Sequence, residues 1–273
     1  MKSAATLGTP PAGVKRVSCR LARAASITAR VGLLLTLLGA LSLLLSGAGS
    51  RWDWWDFRTG FAIFRWTLYG GLGAVVVALV GLVLALLGRA YNTAVLSIGT
   101  LVLLAAIAVV PVSHLRNAGQ VPPIHDISTD LDDPPRFVAV LPLRQGAPNS
   151  AEYGGPALAA QQRAGYPDLG PARFTAPTDR VFAWVVEVAR GRGWEIVAAV
   201  PEEGRLEATD RTRWFGFRDD VVVRVRPDGA GSRVDVRSVS RVGRSDLGTN
   251  ARRIRGFMDA LRSAPAGETV APR

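Results

Sequence analysis

The stretch that decides the fold is DDVVVRVRPDGAGSRVDVRSVSRVGRSDLGTNARRIRGF, residues 219–257. Side chains of a β-strand alternate between two faces, so Val221, Val223 and Val225 share one face and arginines occupy the other. Proline, aspartate and glycine at residues 227–232 favour a tight turn, because they fix or permit the backbone angles that a turn needs. The stretch therefore predicts two antiparallel strands joined as a hairpin.

The return strand, residues 232–242, places valine and serine on one face and mostly arginine on the other. Ser245 or Asp246 can then cap a helix, because either side chain can accept a hydrogen bond from a free backbone N–H group. Apolar residues follow at helical spacing, at Ile254, Phe257, Met258 and Leu261. The pattern predicts a helix that packs on the sheet and ends before Pro265, followed by a disordered tail.

This stretch carries Asp219 and Asp220, then the contiguous run RSVSRVGRSDLG at residues 237–248, and then Asn250 followed by Arg253, Ile254 and Arg255. The run includes Ser238, Ser240, Gly243, Asp246 and Gly248. The pattern resembles the signature of domain-of-unknown-function family 1499. The resemblance covers about residues 124–261, the C-terminal half of the chain. It implies a bacterial envelope protein with plant relatives, and it implies no established activity.

Upstream of the hairpin, the pattern predicts one helix and two further strands. The helix covers residues 177–190, and the strands cover 194–200 and 205–217. The order helix, four strands, helix predicts an α+β domain. We expect a four-stranded antiparallel sheet with both helices on one face. A short strand is also expected at residues 137–140, and an irregular, glycine- and proline-rich segment at 146–170.

The N-terminal part of the chain contains three long apolar stretches, at residues 31–49, 67–87 and 93–110. Each is close to the ~20 residues that a helix needs to cross the bilayer core. The sequence therefore predicts three transmembrane helices. None carries an acid or a histidine at mid-depth, which argues against a transporter or a channel.

The net charge of +11 is concentrated in residues 1–30, which hold lysine and arginine and no acid. Because basic residues favour the cytoplasmic side, the N-terminus is predicted to lie inside and the C-terminal domain outside the cytoplasm. Together with the family resemblance, this predicts a multi-pass protein of the bacterial inner membrane. The charge does not indicate a nucleic-acid partner, and the single cysteine forms no intrachain disulfide.

These features predict five regions. They are a basic cytoplasmic arm (residues 1–30), a transmembrane region (31–112), a linker (113–135), the α+β domain (136–264) and the disordered tail (265–273). The linker contains His125 and a run of acids from Asp126 to Asp133. The run lacks the glycine and terminal glutamate of a calcium-binding loop, so we interpret it as solvated and predict no metal and no cofactor.

Arginines on one sheet face suggest an anion site, because the guanidinium fork matches carboxylate and phosphate. The predicted residues are Arg224, Arg237, Arg241, Arg244 and Ser245, the last two at a helix N-terminus that attracts negative charge. The expected partners are the lipid bilayer and an anionic lipid or small anionic ligand. In the alternative interpretation, the arginines pair internally with acids of the same strands: Glu207, Asp219, Asp220 and Asp235.

The sequence thus predicts a membrane-anchored, non-catalytic binding or structural module. The alternative function is a hydrolase or transferase that uses Asp219 or Asp220 with the serines of residues 238–245. Neighbouring residues of a strand point to opposite faces, so at most one of the two aspartates faces such a site. No histidine accompanies the serines, which weakens the alternative.

Overall fold

The computed structural model describes residues 12–263. The chain divides into two units, with the boundary between Ser113 and His114. Residues 1–11 of the predicted arm and the predicted tail at residues 265–273 lie outside the described part.

Three long helices form the first unit: α1 (Ala12–Arg51), α2 (Phe57–Leu87) and α3 (Tyr91–Ala118). Each is long and apolar enough to cross a membrane by its length and composition, so the three predicted apolar helices are confirmed. Helix α1 starts well before the apolar stretch and includes the second part of the predicted arm. Asp56 is the N-cap of α2, and its carboxylate accepts the N–H group of Arg58 at 2.7 Å.

Small residues let α1 and α2 approach closely. Ala29 and Ala78 are buried, and a Cβ added to Gly81 would lie only 3.2 Å from the backbone nitrogen of Ala29. Such contacts are typical of helices in a membrane, where close backbone packing replaces the hydrophobic driving force.

The second unit contains an antiparallel sheet of six strands. They are β1 (Asp126–Ser128), β2 (Ala172–Phe174), β3 (Glu195–Val200), β4 (Arg205–Arg211), β5 (Arg218–Asp228) and β6 (Gly231–Ser240). Strands β1 and β2 pair with two parts of the same edge of β6, and the sheet continues through β5 and β4 to β3. Gly229, at φ 61°, sits in the turn of the predicted β5–β6 hairpin.

The prediction of four strands was therefore incomplete. Strands β3 to β6 lie where the pattern placed them, although β4 ends at Arg211 instead of Phe217. The two missed strands have three residues each, too few for alternation to be visible, and they cover the otherwise open edge of β6. No strand forms at residues 137–140.

Helices α4 (Gly155–Gly165), α5 (Thr178–Gly191) and α6 (Thr249–Arg262) complete the unit. Helices α5 and α6 contribute to one apolar core with alternate residues of the central strands. Its members include Val181, Val185, Leu206, Val221, Val223, Val234, Val236, Ile254 and Phe257. Helix α4 was not predicted, because its sequence lies in a stretch rich in glycine and proline.

The opposite face of the sheet is covered by residues 129–153, which we call the covering segment. Phe137 and Val140 pack there on Val222 and Val239 in a small apolar cluster. The remainder of this face is ionic. The sheet therefore separates an apolar layer from a charged one.

The apolar core depends on Phe257, which is fully buried and stacks on Trp194 with 4.9 Å between ring centroids. We expect Phe257→Ala to reduce the free energy of unfolding of the second unit by about 3–5 kcal/mol, because it leaves a cavity. A urea titration in detergent, with unfolding monitored by susceptibility to proteolysis, measures this loss. Asp259→Ala, at an exposed position of the same helix, is the control and should change the midpoint little. Equal effects of the two changes would contradict the assigned core.

Candidate functional site

Arg237 is the most buried arginine of the covered face. Its Nε and Nη2 donate to the two carboxylate oxygens of Asp126 at 2.9 and 2.7 Å, and its remaining bonds go to the carbonyl oxygens of Pro135 and Ala151. The guanidinium lies 5.1 Å from the ring of Phe137 and 5.3 Å from that of Tyr153. Arg237 thus links β6, β1 and the covering segment.

A second buried cluster surrounds Asp220 in β5. Its carboxylate accepts hydrogen bonds from Arg144 at 2.5 Å, from Arg241 at 2.8 and 2.9 Å, and from the hydroxyl of Thr209 at 2.7 Å. Burial opposes ionisation of this carboxyl, but these hydrogen bonds outweigh it and lower the pKa of Asp220. Arg241 also donates to the carbonyl of Leu143 at 2.7 Å, so the cluster holds the covering segment in place.

A third cluster is partly open to solvent. Arg224, Arg226 and Arg233 all donate to Asp130, at 3.1, 2.8 and 2.8 Å. Asp235 accepts a further bond from Arg233 at 3.0 Å. Burial opposes the charge of Asp130, yet the backbone N–H of Asp133 and the nearby arginines lower its pKa overall.

Glu207 of β4 explains why no strand forms at residues 137–140. Its carboxylate accepts the backbone N–H groups of Val138, Ala139 and Val140 at 2.9–3.0 Å. It also pairs with Arg205. Three N–H groups that a strand would use are therefore bound to one buried carboxylate.

The other face, beneath α6, holds a network of polar side chains at one end of the apolar core. Arg253 donates to Asp219 at 2.6 Å and to Asp210 at 2.7 Å. Asn250 joins the hydroxyls of Ser238 (2.7 Å) and Ser240 (3.0 Å). The signature residues of this face are thus bonded mainly to one another.

Asp246 holds the start of α6 from two residues before the cap position, which Gly248 occupies with φ 75°. Its carboxylate accepts the N–H groups of Gly248 and Asn250 at 2.8 and 2.7 Å. Burial, with the nearby Asp219 charge, raises the pKa of Asp246. Of the two candidates for this role, Asp246 binds the first turn of the helix, while the Ser245 hydroxyl accepts the N–H of Leu247.

The structure distributes the five predicted anion-site residues among different partners. Arg237 binds Asp126, Arg241 binds Asp220, and Arg224 belongs to the Asp130 cluster. Arg244 is exposed, beside the part-exposed Ser245. Anion binding by this set stays a prediction, and the geometry favours the alternative in which the arginines pair internally. The buried and half-buried arginines of the covered face pair with Asp126, Asp130, Asp133, Glu203, Glu207, Asp220 and Asp235.

The geometry gives little support to the predicted hydrolase or transferase. Asp219 and Asp220 point to opposite faces, as strand alternation requires, and each carboxylate is bound to arginine. The hydroxyls of Ser238 and Ser240 are buried and hydrogen-bonded to Asn250. Within residues 12–263, no three His, Cys, Asp or Glu side chains are grouped as metal ligands would be.

A cleft of about 280 Å³ opens between the covering segment and strands β4 and β5. It is lined by Asp133, Pro135, Arg136, Val138, Glu203, Arg205, Val222 and Arg224. The Nε of Arg224 is buried and has no hydrogen-bond partner among the described residues. Arg136 is exposed, and no ion pair or hydrogen bond joins its side chain to another residue of the described chain. The sequence pattern did not indicate this site, since Arg136 lies 88 positions before Arg224.

Residues 126–261 match the family model described as "Protein of unknown function (DUF1499)". The C-terminal half of the chain belongs to DUF1499. The match confirms the resemblance noted in the sequence, and its first residue, Asp126, is the partner of Arg237. Comparison with curated proteins gives no match. In this DUF1499 domain, the signature residues lie in three places: Asp220 in its arginine cluster, Asp219, Ser238, Ser240, Asn250 and Arg253 in the network beneath α6, and Gly243, Asp246 and Gly248 in the bend before that helix.

We expect Asp126→Ala and Arg237→Ala each to lower the free energy of unfolding of the domain by about 3–5 kcal/mol, because each leaves a buried charge without its partner. The double variant should lose less than the sum, since no charge is then stranded. The exposed pair Arg173–Asp228, at 2.7 Å in the same domain, is the control, and its variants should each cost less than about 1 kcal/mol. Additive losses at the buried pair would contradict the coupling.

The lowered pKa of Asp220 predicts a pH dependence. Its folded-state pKa lies below the ordinary 3.8, so the stability it contributes is present above 3.8 and is lost as the pH falls through the folded value. Asp220→Asn should therefore be destabilising by about 3 kcal/mol at neutral pH, with the difference from wild type narrowing below pH 3.8. Urea midpoints across this range measure the difference, with exposed Asp259→Asn as control. A difference that stays constant would refute the assignment.

Proposed function

We propose that this protein is a multi-pass protein of the bacterial inner membrane whose DUF1499 domain lies outside the cytoplasm and binds a small anionic ligand. Three apolar helices support the membrane location, and the acid-free basic arm supports an N-terminus inside. The domain follows an odd number of candidate spans, which supports its location on the side of the membrane opposite to the N-terminus. The ligand would carry a carboxylate or a phosphate.

The observation that carries the proposal is the cleft beside Arg224. Its two lining acids are occupied, because Asp133 binds Arg224 and Arg226 while Glu203 binds Arg205. Arg136 remains as a lining charge that forms no ion pair within residues 12–263. An anionic group in the cleft would gain a charge-assisted hydrogen bond to the Arg136 guanidinium that the free protein lacks.

The walls of the cleft suggest the remainder of the ligand. Pro135, Val138 and Val222 provide apolar surface beside the two guanidinium groups. A ligand with one anionic group and a short apolar or carbon-chain part would match both features. Arginine suits such a ligand because its planar fork binds carboxylate and phosphate through parallel, charge-assisted hydrogen bonds.

A non-catalytic role is supported by the hydrogen bonds and ion pairs of the aspartates and serines that could take part in catalysis. The aspartates of the signature are bound to arginines or to backbone N–H groups, and the serines to an asparagine. In these positions the side chains stabilise the domain, and none faces the cleft with a general base beside it. Binding is therefore the function that the geometry favours.

The test is equilibrium dialysis of the full-length protein, in an uncharged detergent, with glycerol phosphate and with acetate. Arg136→Gln should weaken binding about tenfold or more, because a hydrogen bond to a charged group contributes about 1.5–3 kcal/mol. Within residues 12–263 the Arg136 side chain forms no hydrogen bond or ion pair, so folding should be unchanged. Arg190→Gln removes the same charge from the exposed side of α5 and should have no effect. Equal weakening by both variants, or wild-type binding of neither probe, would reject the proposal.

A further inference from the structure

Exposed apolar side chains of the second unit are concentrated in one place. Among its described residues, the large apolar side chains with more than a third of their surface exposed are Val138 (53%), Leu141 (46%) and Leu143 (54%). Pro142 lies exposed between the two leucines. Isolated exposed leucines are common on protein surfaces, but here three exposed apolar residues fall within six positions of one segment, which we call the patch.

The surrounding structure holds this patch outward. Residues Leu141–Arg144 form a short 3-10 helix whose last side chain, Arg144, reaches inward to Asp220 at 2.5 Å. The carbonyl of Leu143 accepts a hydrogen bond from Arg241 at 2.7 Å. The Arg144 side chain and the carbonyl of Leu143 are both bound inside, so the side chains of Leu141 and Leu143 lie on the outer side of the segment. Their exposure is a property of the fold.

Two exposed arginines belong to the same face and the same end of the sheet. Arg211 of β4 and Arg218 of β5 are directly opposite one another in the register. By alternation they share the face of Thr209 and Asp220, two residues away on each strand. Arg241 connects this end of the sheet with the patch. Its backbone N–H donates to the carbonyl of Arg218, and its side chain donates to the carbonyl of Leu143.

Neither Arg211 nor Arg218 forms a side-chain hydrogen bond or ion pair within residues 12–263, in contrast to the arginines further along the same face. Like charges directly opposite one another on neighbouring strands are unfavourable. An external anionic surface would relieve this repulsion, and the adjacent leucines would be removed from water at the same time.

We propose that the surface formed by Val138, Leu141, Leu143, Arg211 and Arg218 docks on the headgroup region of a bilayer that contains anionic lipid. Segments that lie at a membrane interface combine apolar side chains with basic ones in this way. The charge is complementary, and the same chain carries three candidate spans, so a bilayer is always close to the domain. The inference rests on the proposed membrane location. It does not require a ligand in the cleft, although Val138 belongs to both surfaces.

The test uses the full-length protein with a spin label, after replacing the native Cys19 by serine. Leu143→Cys carries the label on the patch, and Asp259→Cys carries it on the exposed side of α6. Nanodiscs contain phosphatidylcholine alone or with phosphatidylglycerol. In the anionic nanodiscs we expect the label at position 143 to become accessible to oxygen and protected from a water-soluble nickel chelate. The label at position 259 should stay accessible to the chelate in both.

Charge variants separate docking from general attraction. Each basic residue near an anionic surface contributes about fivefold to partitioning, equivalent to ~1 kcal/mol, so Arg211→Gln with Arg218→Gln should reduce the docked population severalfold. Arg190→Gln, on the other side of the sheet, should leave it unchanged. A label at position 143 that stays exposed to the chelate would overturn the proposal. So would protection that occurs equally without anionic lipid, or that requires two protein copies in a disc.

Phosphate binding by the cleft is measured separately with soluble glycerol phosphate. The docking surface and the cleft can therefore fail independently. If the wild-type protein binds no glycerol phosphate but docks normally, the ligand proposal fails and this inference stands. If it binds glycerol phosphate but does not dock, this inference fails and the ligand proposal stands.

Discussion

The structure of the C-terminal domain depends on the buried pair of Arg237 and Asp126. Removing both charges from water costs several kcal/mol for each ion, and the cost is recovered only if nearly every donor and acceptor has a partner. Here four of the five N–H bonds of Arg237 reach oxygen atoms, and two aromatic rings lie beside the guanidinium. Satisfying the arginine therefore requires β1, Pro135, Ala151 and the two rings to be in place together.

This requirement explains how a sheet with one apolar face can have a second, charged face that is also covered. On the side of α5 and α6, burial of valine and phenylalanine drives packing without directional preference. On the opposite side, carboxylates and guanidiniums must meet at defined distances. The covering segment has few buried apolar residues of its own, mainly Phe137 and Val140. Its position is set by charge pairs and by the N–H groups that Glu207 accepts.

The sequence predicted those parts of the domain that local pattern determines. Alternation in β5 and β6 placed the valines on the core face and put Asp219 and Asp220 on opposite faces, and the spacing of Ile254 and Phe257 located α6. Strands β1 and β2 could not be predicted, because three residues show no period and their partner lies more than 50 residues away. The aspartates before residue 135 suggested a solvated linker, since nothing local shows that Arg224 and Arg237 bind them.

The same network accounts for the apolar surface of the covering segment. In an ordinary amphipathic segment the apolar side chains point inward and the polar ones outward. Here Arg144, the N–H groups of residues 138–140 and the carbonyl of Leu143 are all bound inside. The short helix has few directions left for its other side chains, and Leu141 and Leu143 project to the surface. Because this face is built from charge pairs, part of the covering segment has its polar groups inside and its apolar side chains outside. The exposed leucines and the buried arginines are two results of one constraint.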